Sequence, residues 1–147
     1  MVLLEAVWLL HFIGIAWGVG GATVAAILMA KADKDPQIAP LAMKVMPAIS
    51  KLIWAAIFFL IVSGIALAQL VTFPVDAAML LIKHAVVAAL VLNGIILAFG
   101  ILPKMGRLAP KDGKPSAEFL KAKKSAKIAS TLGLVLWYVI LVLSVMM

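Results

Sequence analysis

Four long runs of apolar residues, almost free of charge, account for most of this chain. They cover about residues 2–30, 51–71, 77–102 and 127–147. A helix of about 20 apolar residues crosses a hydrocarbon core about 30 Å thick, so each run is long enough to span it. Inside lipid the backbone must satisfy its own polar groups, and helices do so within one segment. The expected fold is all-α: an integral membrane antiparallel four-helix bundle, with residues 1–147 as one transmembrane domain.

Composition agrees. The 147 residues are 66% hydrophobic and 13% charged, which leaves no stretch for a separate soluble domain. Cysteine is absent, which excludes disulfides, thiolate metal sites and c-type haem attachment. The first run carries Glu5 and no Lys or Arg before its apolar stretch, which continues to Ala30. A secretory leader needs a basic start and a shorter apolar run, so this run reads as a retained helix.

The polar connections are unequal. Lys31 to Pro36 is a polar loop, followed by an amphipathic stretch to Ser50. A tight turn is expected over Thr72–Asp76, with Pro74 and Asp76 suited to starting the next helix. Pro103 is expected to end the third helix, because its ring blocks the preceding turn. In the second polar loop, Ser116 to Lys124 reads as a basic amphipathic helix touching anionic lipid heads.

All but one of the 13 Lys and Arg residues fall in these two loops. The termini and the middle turn hold none. Basic loops stay in the cytoplasm, so both ends of the chain are expected outside. The net charge of +7 reflects this orientation and needs no nucleic acid.

Ionisable side chains inside a span are costly and mark candidate sites. Here they are His11 in the first run, and Lys83 and His84 in the third. Gln69, Asn93 and Tyr138 are weaker members. The two histidines are the only ones in the chain. Each lies roughly 10–14 Å below its helix's outer end at 1.5 Å per residue. Two imidazoles at one depth on different helices are the arrangement for bis-His ligation of haem b in a bundle core. His11 and His84 are therefore the expected metal ligands, with electron transfer the expected role.

Gly14, Gly18, Gly21, Ala22 and Ala25 follow His11 at helical spacing. This small-residue stripe would admit a porphyrin; Gly14 to Gly18 is equally a GxxxG helix-contact motif. Lys83, about 100° around the helix from His84, is expected to snorkel outward or to pair with a propionate, Glu5 or Gln69. Tyr138 is expected near the histidine depth, either lining the cofactor or packing. Trp8 reads as an interface anchor. The eight methionines are scattered, which gives copper little support.

A resemblance adds to this reading. Trp8-Leu-Leu-His11-Phe-Ile-Gly14-Ile-Ala-Trp17-Gly18 looks like the first helix of small bacterial membrane proteins. These include the CopD-like copper-resistance domains and the HemJ-type protoporphyrinogen oxidases. Leu81-Ile-Lys83-His84-Ala-Val looks like their lysine-bearing third helix. The resemblance implies a bacterial inner-membrane location, haem b, and His11 with Lys83 as the functional pair. It also implies an alternative reading as a porphyrinogen oxidase. Segment four departs from the HemJ pattern, with Lys124-Ser-Ala-Lys127-Ile-Ala-Ser-Thr131 in place of an Arg and an Asn-Glu, and His84 is not expected there. A third reading is a haem-free copper-transport or structural protein. The partners expected are the lipid bilayer, a second copy or a larger redox membrane complex, and a quinone or porphyrin.

Overall fold

The computed structural model describes residues 2–35, 37–71, 76–109 and 114–146. Among these residues the chain forms four long helices and no strand. We number them α1 (Val2–Ala32), α2 (Ile38–Leu70), α3 (Ala77–Leu108) and α4 (Ala117–Met146). Each is long and apolar enough to cross a bilayer, so this is a multi-pass membrane protein. The helices have 31, 33, 32 and 30 residues. At 1.5 Å per residue they run to about 45–50 Å, well beyond the hydrocarbon core.

The extra length lies mainly at the Lys-rich end. The amphipathic stretch before Ser50 is not a separate element. It is the first part of α2, which continues through Pro47. α4 likewise starts with the basic segment expected to be amphipathic, and Ser116 caps it by accepting from the Phe119 amide at 3.1 Å. The start of α3 agrees with the sequence: Asp76 is its N-cap and accepts from the Ala78 amide at 2.8 Å. The rest of the expected Thr72–Asp76 turn, Pro74 included, lies outside the described residues.

Pro103 does not end α3. The helix widens into a π-helical segment, Ile96–Ile101, then resumes as α-helix over Leu102–Leu108. The Leu102 amide donates to the Leu97 carbonyl, five residues back. In a regular helix the Pro103 ring would collide with the Phe99 carbonyl four residues earlier. The wider turn removes that collision, as π-bulges can.

α1 and α2 form a tight antiparallel pair. A Cβ on Gly14 would sit 2.9 Å from Leu60 and 3.2 Å from the Ala56 carbonyl oxygen. One on Gly21 would meet Ile53 at 3.0 Å. The small-residue stripe thus brings two backbones together, the usual use of small residues between membrane helices. α4 packs on α1 through Trp137, whose ring fills the space over Gly18. α3 packs on α4, where the Asn93 amide donates to the Ala129 carbonyl at 2.9 Å beside Gly133. Trp54 of α2 reaches Gly94 of α3 and closes the bundle. Ala22, Ala56, Ile57, Leu60, Leu90, Trp137 and Ile140 form the core.

Candidate functional site

His11 is 6% exposed and Ser63 fully buried, at the contact of α1 with α2. His11 Nδ1 and Ser63 Oγ lie 2.9 Å apart. Serine has one proton to give. Ser63 gives it back along its own helix, to the Phe59 carbonyl with a longer contact to Leu60. Its oxygen therefore accepts from His11, which carries its proton on Nδ1. The other nitrogen, Nε2, is left with a bare lone pair. Histidines that bind metals are held this way, with the far N–H donated to a fixed acceptor. Trp8 stands edge-on to the imidazole, with ring centroids 6.1 Å apart.

Lys83 is the ionisable residue of α3 that turns toward the core. It is half-buried, and it shares a face of α3 with Val86, Val87, Leu90 and Val91, which pack on the core. Those positions recur at three and four residues, one side of a helix. Lys83 forms no hydrogen bond or ion pair with Glu5 or Gln69 among the described residues. The structure therefore brings together His11 and Ser63, and turns Lys83 to the core-facing side of α3. Ser63 escaped the sequence reading, because a serine in an apolar helix is common and nothing local distinguishes it.

His84 does not join this group. It is exposed on the outward side of α3, with Leu81 and Leu92. Its Nδ1 lies 2.7 Å from the Leu80 carbonyl, which only accepts, so its proton too is on Nδ1. The imidazoles expected to face each other across one iron have different environments instead: one inside the bundle, the other on its surface. The 100° step from Lys83 decides this, since Lys83 takes the inward position. Within one chain the pair does not fit a bis-His haem.

The other expected site residues also move. Gly14 and Gly18 lie on the His11 face, as expected, but Leu60 and Trp137 occupy the room they leave. Tyr138 is 44% exposed and lies 3.1 Å from the Thr23 hydroxyl. Thr23 is about 18 Å along α1 from His11 at 1.5 Å per residue, so Tyr138 is not at the histidine depth. Seating Trp137 over Gly18 sets that offset.

Among the described residues, no three His, Cys, Asp or Glu side chains cluster to hold a metal ion. A haem needs no such cluster, because the porphyrin supplies four of the iron's ligands. On the chemistry of its donors, His11 could hold such an iron: Nδ1–H is held by Ser63 and Nε2 is bare.

No known family, curated protein or solved structure matches this chain.

Proposed function

We propose that this is a membrane haem b protein with a redox role, in which His11 would hold the iron through Nε2 without a second ligand from the same chain. The observation that carries this is the His11–Ser63 hydrogen bond, which holds the imidazole and leaves Nε2 with a free lone pair. Haem supplies the electron-accepting centre when bound. The chain's own residues do the rest. Ser63 orients His11, Trp8 shields its edge, and Lys83 offers a cation to a propionate or to an acidic substrate. With His84 turned outward and Lys83 on the core-facing side of α3, the oxidase-like reading, acting on a porphyrin, is preferred over simple electron transfer. The bacterial inner membrane is the proposed location.

The second reading is bis-His electron transfer with His84 supplied by another copy of the chain. It is favoured by one observation. The Leu80 carbonyl holds His84 as a bare-Nε2 imidazole on an exposed helix face, where an ionisable residue is costly.

Visible spectra of the purified protein, oxidised and dithionite-reduced, separate these readings. The first expects a haem signal that binds carbon monoxide rapidly, is lost in His11→Ala and persists in His84→Ala. A low-spin signal inert to carbon monoxide until His84 is replaced would establish the second. Colourless protein from cells with ample haem would overturn both.

A further inference from the structure

The Lys-rich end of α4 carries a shallow, open groove along one helix face, lined by Lys124, Lys127, Ile128, Thr131, Leu132 and Val135. These residues recur at three and four positions, so they form one stripe on the helix. Their order along it is informative. Two ammonium groups come first, at the end where the charged loops begin. A hydroxyl follows, then apolar side chains directed toward the bilayer centre. A phospholipid presents matching chemistry in that order: phosphate, glycerol esters, acyl chain.

The charges are available. Lys124 makes no ion pair or hydrogen bond among the described residues. Lys127 reaches Asp33 only at 3.4 Å, while Lys123 holds the same carboxylate at 2.8 Å. An anion in the groove would thus meet one unpaired and one loosely paired ammonium. Thr131 already donates to the Lys127 carbonyl at 2.9 Å, so its oxygen remains an acceptor for a headgroup hydroxyl. Ile128, Leu132 and Val135 are 60%, 48% and 52% exposed, leaving their surfaces for an acyl chain.

We propose that this groove is a binding site for one anionic phospholipid, with the phosphate between Lys124 and Lys127 and an acyl chain along Ile128, Leu132 and Val135. Charge complementarity selects the lipid over a protein partner, because the apolar part of the stripe faces the hydrocarbon core. The proposal does not depend on haem or on the His11 cluster. It extends general attraction of basic loops to anionic membranes to a defined site.

Native mass spectrometry of the full-length protein in detergent can count bound lipids. Phosphatidylglycerol and phosphatidylcholine with identical chains are titrated separately. The first phosphatidylglycerol should bind about tenfold or more tightly than phosphatidylcholine, given two nearby lysines. Lys124→Gln with Lys127→Gln should abolish the preference. Lys44→Gln with Lys51→Gln, which removes the same charge elsewhere at that end, should leave it. Leu132→Trp, which fills the groove and keeps every charge, should weaken the first adduct. Equal binding of the two lipids would overturn the site. So would equal loss from the control pair, or indifference to Leu132→Trp, either of which would reduce the effect to general charge. Circular dichroism of each variant checks that the helices are intact.

Discussion

At the scale of single residues, the decisive contact is between His11 and Ser63. Removing the serine hydroxyl leaves a buried imidazole N–H without its acceptor. Ser63→Ala should therefore cost about 1–3 kcal/mol of stability, read as a lower unfolding temperature in detergent. On the proposed function it should also change the haem spectrum, because nothing then holds the imidazole's orientation. An unchanged spectrum and unfolding temperature would show that the contact does neither. His11 and Lys83 stood out in the sequence because charge is rare in an apolar span. Ser63 did not, because its importance comes from a helix 52 positions away.

At the scale of helices, the glycines set how closely neighbours approach. A Cβ on Gly18 would lie 2.1 Å from a carbon of the Trp137 ring. The indole is rigid and 2% exposed, with nowhere to move. Gly18→Ala should thus force α4 away from α1 and destabilise the bundle by about 1–3 kcal/mol. Gly20→Ala is the control, since nothing lies within 4 Å of its added Cβ. Equal unfolding temperatures for the two variants would refute this account. The small-residue stripe was legible in the sequence, but not its use. Both a porphyrin and a helix ask for the same gap, and only the partner's side chain tells them apart. The fate of Pro103 was hidden for a related reason. Proline forbids a regular turn, but a π-turn satisfies the same restriction without ending the helix.

For the whole molecule, the Lys-rich end has a latch. Asp33, just past α1, binds Lys123 at 2.8 Å and Lys127 at 3.4 Å, tying α1 to α4. The hydrogen bond from Lys123, reinforced by the charges of both lysines and the longer contact from Lys127, holds the Asp33 carboxyl below its usual 3.8 against the opposing effect of burial. A depressed carboxylate stabilises the fold above its unfolded value, and that contribution fades as pH falls through the folded value. The latch should therefore stabilise the fold by a constant amount from pH 7 to about 4.5, several tenths above the ordinary carboxylate range, and lose that contribution only below it. Asp33→Asn should therefore be less stable than the parent chain at neutral pH, and the gap should close in acid; a gap that persists unchanged at the lowest pH, or no gap at neutral pH, would contradict it. Orientation is a second property at this scale. Both termini should be reached by impermeant label from outside cells, and Lys111, which lies outside the described residues, only from inside. External labelling of Lys111 would reverse the topology.

The sequence by itself determined that this chain crosses a membrane four times as helices, with its basic residues gathered at one end. Hydropathy, length and charge are properties of each segment alone, and burial in lipid acts on segments one at a time. It also marked His11, Lys83 and His84 as foreign to lipid. What it did not determine was which of the last two turns inward. α3 is apolar on every side, so its own pattern carries no preferred face. The choice comes from contacts with α4 and Trp54, which place Val86, Val87, Leu90 and Val91 against the core and carry Lys83 inward with them. The axial offset that moves Tyr138 away from His11 has the same origin. It is set by one indole settling over one glycine, a fit between surfaces that neither helix encodes alone.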